Sequence, residues 1–361
     1  MKLKSEFLKE IYSRGFIYQS TDIENLDLLI SKNKITAYIG FDITSDSLHI
    51  GSLVQLMLLN WLETYDHNPI ALMGGGTTLV GDPSGKDSAR KIISLEEINE
   101  NIKKIEQTFT QFININKSGS IINNYDWLAK LNYVDFLRDI GSKITLNKML
   151  TYESVKSRLD REQPLTFLEF NYMLLQAYDF YHLRKNYNCV LQMGGSDQWG
   201  NIVSGTELIR RKANGAAFGI TTNLLTKSDG GKFGKTEEGN IWLDPIKTSP
   251  YNFYQFWLNI SDEDALKYIK IFSMKERSFI EDLIKNSMEK PEFRILQNHI
   301  ADELTELVHS KESLNIAKKT SKILFGKSTF DDLKSLNKNG LESISSAVPN
   351  ITIPKKLFEN S

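Results

Sequence analysis

Five segments of the 361-residue chain combine residue types suited to a charged, hydroxyl-bearing ligand. In the first, the strand-like run ending at Tyr38-Ile39-Gly40-Phe41 passes into Asp42-Ile43-Thr44, and a helix opens near His49-Ile50-Gly51-Ser52. The unpaired N–H groups and positive dipole end of a helix N-terminus attract anions. Thr44 and His49 can add donors there, and Gly51 lets a flat base or ribose come close to the backbone. The second segment, Gly81-Asp82-Pro83-Ser84-Gly85-Lys86 with Arg90, sets a carboxylate and two cations in a tight turn. It is not a P-loop: that motif requires glycine at Val80 and a hydroxyl at Asp87. Nor is the preceding triple glycine a dinucleotide fingerprint, because Leu79 fills the third glycine position.

The third segment is helical. Tyr172, Gln176 and Asp179 recur at i, i+4 and i+7 and so share one face of a helix that otherwise reads Phe170, Met173, Leu174 and Ala177. A phenol, an amide and a carboxylate on an apolar helix are costly to bury unless each finds a partner. They suit the wall of a pocket for a polar ligand, or an internal hydrogen-bond network. In the fourth, Gln192-Met193-Gly194-Gly195 ends a strand, and Ser196 or Asp197 can cap the next helix. Gln192, Asp197 and Gln198 could there bond a ribose or an amino acid. The fifth, Lys232-Phe233-Gly234-Lys235-Thr236, lies between glycines and suits a lid closing on phosphates. Taken singly, these segments also fit a satisfied structural histidine, a plain turn, a capping turn and a surface charge cluster.

The elements that must position these residues alternate. Short apolar strands at Thr36–Phe41, Ile70–Met73 and Cys189–Met193 are separated by helices at His49–Leu62, 95–115, 126–148, 166–184 and about 197–212, the pattern of a parallel α/β sheet. Ligands in such sheets bind beyond the carboxyl ends of the strands, where the first and fourth segments fall. Residues 1–32 read as two helices, the first burying Phe7, Leu8, Ile11 and Tyr12. Segment 230–240 reads as loop. From 250 onward the text is helical, with Pro291 opening a helix that carries Phe293, Leu296, Ile300, Leu304 and Leu307.

Composition excludes several classes of protein. One cysteine, Cys189, and five dispersed histidines leave no disulfide framework, and no structural metal is expected. A net charge of −1 argues against a chromatin-like binder. Residues 309–361 are mildly basic, with nine lysines against five carboxylates, and suit either RNA phosphates or a solvated surface. The N-terminus lacks a signal-peptide core and no stretch is apolar enough to span a bilayer, so no membrane partner and a cytoplasmic location are expected.

Together and in this order, the five segments resemble the bacterial-type tyrosyl-tRNA synthetases, class I aminoacyl-tRNA synthetases. His49-Ile-Gly-Ser is similar to the family's His-Ile-Gly-His motif, and Lys232-Phe-Gly-Lys-Thr to its Lys-Met-Ser-Lys-Ser loop. The resemblance covers about residues 1–325. It implies a Rossmann-like catalytic domain with a dimerisation insert over 1–228, a mobile lysine loop over 229–245, and an α-helical anticodon-side domain over 246–325. Residues 326–361 would connect to an RNA-binding module that the sequence barely begins. The implied activity is activation of L-tyrosine with ATP, Mg²⁺ accompanying the nucleotide, followed by transfer to tRNA(Tyr), by a homodimer.

The resemblance also implies residue roles. Tyr38 and Asp179 would bond the substrate phenol, and Asp82, Tyr172 and Gln176 its α-amino group. Gln198 would lie near the tyrosine carboxylate and ribose, with Asp197 on the ribose. Gly40, Asp42, Gly51, Ser52 and Gly195 would border the nucleotide. Thr44 and His49 would stabilise the β,γ-phosphates, and Lys86, Arg90, Lys232, Lys235 and Thr236 would reach the departing pyrophosphate. Phe167 matches an aromatic of the family's dimer interface, and Arg210, Arg211 and Lys212 would meet the tRNA acceptor stem. Two positions depart from the pattern. Ile43 replaces a usual proline, which is expected to loosen the turn before Thr44. Ser52 replaces the last histidine of the motif and has a shorter reach.

Overall fold

A computed structural model of the chain describes residues 2–84, 93–213, 215–228, 230–231, 233–236, 239–326 and the isolated positions 334, 341 and 344. The chain divides into two compact units, Met1–Phe233 and Gly234–Ser361. The first is built on a six-stranded sheet. Its strands are β1 (Gln19–Ser20), β2 (Thr36–Phe41), β3 (Asn68–Met73), β4 (Ser120–Asn123), β5 (Cys189–Gly195) and β6 (Phe218–Thr222), in the spatial order β1-β6-β5-β2-β3-β4. All neighbouring pairs are parallel except β1 with β6. From β2 the chain builds outward through β3 to β4, and from β5 in the opposite direction to β6. The order therefore reverses between β2 and β5, and a crevice opens beyond their carboxyl ends.

The helices of this unit are α1 (Glu6–Ser13), α2 (Ile23–Ile30), α3 (Leu53–Thr64), α4 (Gly75–Thr78), α5 (Leu95–Phe109), α6 (Tyr125–Leu128), α7 (Tyr133–Asp139), α8 (Leu146–Met149), α9 (Glu153–Asp160), α10 (Phe167–Tyr187) and α11 (Trp199–Ala213). α3 buries Leu53, Val54, Leu56, Met57, Leu58, Leu59, Trp61 and Leu62, leaving it almost no polar face, as befits a helix packed on several sides. α10 and α11 cover the sheet, where Tyr38, Ile70, Leu72, Phe180, Leu183, Cys189 and Ile209 form one core. The segment carrying α7, α8 and α9 builds a second core, with Phe136, Ile140, Met149, Tyr152 and Val155 packed on Met173, Leu174 and Ala177 of α10.

α10 carries the polar stripe, and its start is strongly fixed. Thr166 accepts from the Glu169 N–H at 3.2 Å, and the Glu169 carboxylate accepts the Thr166 N–H at 3.0 Å, a reciprocal capping box. Glu169 also pairs with Arg158 of α9, both side chains being almost wholly buried, and Arg158 donates to the Pro164 carbonyl. At its other end the helix stops where Asn188 turns left-handed at φ 51°.

The second unit contains the two-residue strands β7 (Lys235–Thr236) and β8 (Gly239–Asn240), then α12 (Pro250–Leu258), α13 (Asp262–Phe272), α14 (Arg277–Glu289), α15 (Ile295–Val308) and α16 (Lys311–Phe325). Trp257 is its centre, with Phe253, Phe256, Tyr268 and Phe272 set edge-on around it.

Several elements differ from the sequence expectation. Tyr12 is half exposed, so α1 buries only Phe7, Leu8 and Ile11. The helix expected over 95–115 stops at Phe109, after which Glu63 accepts the Asn114 N–H and turns the chain. The helix expected over 126–148 is three short α-helices and a 3-10 turn at Gly141–Lys143, because Asn132 accepts from Val134 and Asp135 N–H and begins a new helix. The Pro291 helix is broken at Arg294, which is left-handed at φ 48° and donates to the Leu258 and Ile260 carbonyls at the end of α12. Within the segment read as loop, β7 pairs with β8.

Candidate active site

Beyond β2 and β5 lies a cleft of about 390 Å³, lined from α3, α4, α10 and the two strand ends. Of the sequence-selected residues, Tyr38, Gly40, Asp42, Thr44, His49, Gly51, Ser52, Asp82, Tyr172, Gln176, Asp179, Gly195, Asp197 and Gln198 all line it. Thus residues scattered from 38 to 198 converge on one volume. Lys86, Arg90 and Lys232 lie outside the described residues. Lys235 and Thr236 form β7 in the second unit.

The floor of the cleft is buried and polar. Asp179 is buried, accepting from Asn124 Nδ2 at 2.8 Å and from the Trp127 indole N–H at 2.7 Å. Burial pushes its carboxyl up to about 7, against the two donors, and the Asp42 charge adds to the rise. Beside it, the wholly buried Tyr38 hydroxyl has no hydrogen-bond partner among the described residues, and neither has Gln192 Oε1. Burial and the neighbouring Asp179 raise the Tyr38 phenol well above its ordinary value, so it stays protonated. An orphaned hydroxyl beside a carboxylate is costly to maintain without a ligand.

Higher in the cleft the acceptors are oriented by neighbours. Gln198 donates to Asp82 Oδ2 at 2.8 Å, and the Ser84 N–H reaches Asp82 Oδ1 at 2.9 Å. Asn201 donates to Gln176 Oε1 at 2.9 Å and to Gln198 Oε1 at 3.2 Å. Tyr172 donates its hydroxyl to Asp42 Oδ1 at 3.1 Å, which ties the third segment to the first. Gln55 of α3, one turn after Ser52, donates to Thr222 at 3.0 Å and leaves its buried Oε1 without a partner among the described residues.

At the mouth, His49 Nδ1 accepts the Gly51 N–H at 2.9 Å. The ring proton therefore resides on Nε2. A Cβ at Gly51 would stand 2.6 Å from the ring, so glycine is needed for this arrangement. The turn before Thr44 is not loose, contrary to the sequence expectation. Ile43 is fully buried, and its N–H donates to Thr78 Oγ1 at 2.8 Å. Proline has no N–H and could not make that bond.

Sequence reasoning missed Asn124, Trp127, Thr77 and Gln55. None lies in a motif, and Asn124 and Trp127 follow the short edge strand β4. The Arg210-Arg211-Lys212 group is partly offset by two carboxylates. Arg210 and Arg211 pair with Glu207 at 2.8 and 2.6 Å, Arg211 also donates to the Lys143 carbonyl, and Lys212 pairs with Asp139. Phe167 is 69 % exposed at the start of α10. Among the described residues, no group of three or more His, Cys, Asp or Glu could hold a metal, and no helix is long and apolar enough to cross a membrane.

Comparisons with known proteins agree with this geometry. Residues 31–326 match the family model of tRNA synthetases class I (W and Y). The tyrosine–tRNA ligase of Flavobacterium johnsoniae is 48 % identical over 360 residues, 98 % of this chain and 83 % of that protein. That of Bacteroides fragilis is 46 % identical over 355 residues, 97 % and 82 % of the two chains. Among solved structures, a C-terminally truncated mitochondrial tyrosyl-tRNA synthetase of Aspergillus nidulans superposes with a TM-score of 0.80 at 28 % identity, covering 88 % of this chain and 94 % of that one. A tryptophanyl-tRNA synthetase of Encephalitozoon cuniculi shares the fold with a TM-score of 0.63 at 14 % identity, over 90 % and 89 % of the chains. With the family model spanning most of its length and the cleft built from both halves of its sheet, the chain belongs to the class I tRNA synthetases of the W and Y group.

Proposed function

We propose that this chain is a tyrosine–tRNA ligase, which activates L-tyrosine with ATP and esterifies it to tRNA(Tyr). The observation that carries the choice of amino acid is the pair at the cleft floor: a buried carboxylate, Asp179, beside a buried hydroxyl, Tyr38, that has no partner among the described residues. A phenol satisfies both at once, donating to Asp179 and accepting from Tyr38. A phenyl ring would leave the Tyr38 hydroxyl without a partner and would set an apolar edge against the buried Asp179 carboxylate, and buried polar groups without partners are expensive.

The remaining residues fit the rest of the substrate. An ammonium offers three N–H donors, and Asp82, Tyr172 Oη and Gln176 Oε1 are three acceptors on one side of the cleft. With the phenol and amino group held, the tyrosine carboxylate faces the nucleotide end, bordered by Gly40, Asp42, Gly51, Ser52, Gly195, Asp197 and Gln198. A carboxylate oxygen attacks the α-phosphorus of Mg²⁺-bound ATP, the bond from α-phosphorus to the bridging oxygen breaks, and pyrophosphate leaves. No side-chain nucleophile is required. The protein's task is to align the reactants and neutralise charge developing on the phosphates. Thr44 and His49 Nε2–H supply donors at the mouth. Lys86, Arg90, Lys232, Lys235 and Thr236 are the proposed partners of the departing pyrophosphate. In the second step a terminal ribose hydroxyl of tRNA attacks the carbonyl, and AMP leaves.

The segment from α7 to the start of α10 supports a homodimer. It leaves Tyr133, Val134, Leu146, Leu159, Phe167 and Leu168 exposed, an apolar load that a second copy could cover. Residues 246–325 are the proposed α-helical anticodon-side domain, following the proposed lysine loop over 229–245. For Arg210 and Arg211 to meet tRNA, a phosphate would share or replace Glu207 as their anionic partner. A cytoplasmic location is proposed with this function, by likeness to the bacterial tyrosine–tRNA ligases.

The function is tested by ATP–pyrophosphate exchange with each of the twenty amino acids. Tyrosine-dependent exchange is expected. No exchange with tyrosine, or a stronger response to tryptophan, would overturn the reading.

A further inference from the structure

The two ends of the cleft are joined by an unbroken chain of hydrogen bonds through α4. Asn124 uses one Nδ2 proton on Asp179 Oδ2 at 2.8 Å and the other on Thr77 Oγ1 at 3.1 Å. Its Oδ1 accepts the Gly76 N–H at 2.7 Å, which fixes the amide's orientation. Thr77 has one hydroxyl proton and two acceptors at nearly equal range, Asp42 Oδ1 at 3.2 Å and the Gly74 carbonyl at 3.3 Å. Asp42 also receives the Tyr172 hydroxyl. The next residue, Thr78, holds the next residue of the same loop through the Ile43 N–H. Consecutive threonines of α4 thus grip consecutive residues of the loop that carries Thr44 and His49.

We propose that Thr77 is a positioning residue that couples occupancy of the phenol subsite at Asp179 to the nucleotide loop at Asp42. The proposal rests on the tyrosine-activation reading and adds to it how one substrate sharpens the site for the other. A phenol donating to Asp179 competes with Asn124 for the same carboxylate. Any adjustment of that amide is passed to Thr77, whose hydroxyl can point to Asp42 or to the Gly74 carbonyl. Two discrete acceptors supply the two-state element that coupling between sites requires. Gly74 permits the arrangement: a Cβ there would stand 2.6 Å from Thr77 Oγ1 and 2.8 Å from Asp42 Oδ1. Thr77 itself is buried, which limits the partners open to its hydroxyl.

The test measures the affinity of a non-hydrolysable ATP analogue with and without saturating tyrosinol, which occupies the amino-acid site but cannot react. The ratio of the two dissociation constants is the coupling factor, and the reverse order of addition must give the same value. In the unmodified protein tyrosinol is expected to tighten the analogue by about fivefold or more, the lower range of measured couplings. Thr77→Val keeps the shape and removes the hydroxyl. It should bring the factor close to 1 while tyrosinol affinity alone moves by less than about threefold. Thr77→Ser restores the hydroxyl and should restore the factor. A purely structural role would weaken both ligands together and leave the ratio intact, and that outcome overturns the proposal. So does a factor of 1 in the unmodified protein. Tyrosine-dependent exchange is measured in parallel. Exchange present with coupling preserved in Thr77→Val defeats this inference alone, whereas absent exchange defeats the tyrosine reading with it.

Discussion

Trp127 donates its indole N–H to one oxygen of Asp179 at 2.7 Å, while Asn124 occupies the other oxygen at 2.8 Å. The carboxylate proposed to select the phenol is therefore fixed in direction by two protein donors. Both donors favour its charged form, yet burial outweighs them and brings the group up to about 7.

Tyrosine binding should accordingly depend on pH. A phenol O–H donates best to the ionised carboxylate. With the carboxyl raised to about 7, the tyrosine dissociation constant should fall as pH rises from about 6 to about 8, by up to about tenfold. Asp179→Asn should weaken tyrosine and flatten the profile. Calorimetric titration at each pH reads both effects.

Trp127→Phe removes one donor and keeps an aromatic ring. Asp179 loses a bond that favours its charged form, so its ionisation should move to higher pH by about half a unit to one unit. The midpoint of the tyrosine-binding profile should follow it upward. ATP affinity measured without amino acid should change little.

Ile43→Pro restores the residue common in the family at that position, and here it should harm the protein. It deletes the N–H bonded to Thr78 and leaves a buried hydroxyl one donor short. A loss of about 1–3 kcal/mol in stability is expected, with slower pyrophosphate exchange because Thr44 and His49 lie on the same loop. Chemical denaturation and exchange assays on the same preparation check this.

Gly51→Ala would bring a methyl carbon to 2.6 Å from the His49 ring, far inside van der Waals contact. The ring must then leave the Gly51 N–H, and its own proton no longer has a fixed direction. The expected result is a fall in kcat of about tenfold to a hundredfold with tyrosine affinity preserved. Pre-steady-state measurement of adenylate formation separates the two.

Arg158→Ala leaves Glu169 buried without its cation at the start of α10. Breaking such a pair costs about 3–5 kcal/mol. Because α10 delivers Tyr172, Gln176 and Asp179, tyrosine affinity should fall together with the melting temperature, which a thermal scan with and without tyrosine reads.

What can be read from sequence follows the range of the interactions. The i, i+4, i+7 spacing of Tyr172, Gln176 and Asp179 is local, and all three do line the cleft from one face of α10. The central strands β2, β3 and β5 are apolar runs and are legible as such. β1, β4 and β6 are not, being two to five residues long and polar or glycine-containing. With β4 go Asn124 and Trp127, which reach Asp179 across more than fifty residues of sequence. The Ile43–Thr78 bond is likewise a contact between distant segments, so a proline's absence reads as looseness where the fold supplies a hydrogen bond. Glu207 beside Arg210 and Arg211 lies within one helical turn and is visible, whereas Asp139 beside Lys212 is not.

A crystal structure of the protein with L-tyrosine puts the phenol subsite to the sharpest test. The phenol oxygen should lie within hydrogen-bond distance of both Asp179 and Tyr38 Oη, with the ammonium among Asp82, Tyr172 and Gln176. A tyrosine ring bound elsewhere, or a phenol oxygen that leaves the Tyr38 hydroxyl without a partner, would contradict the account.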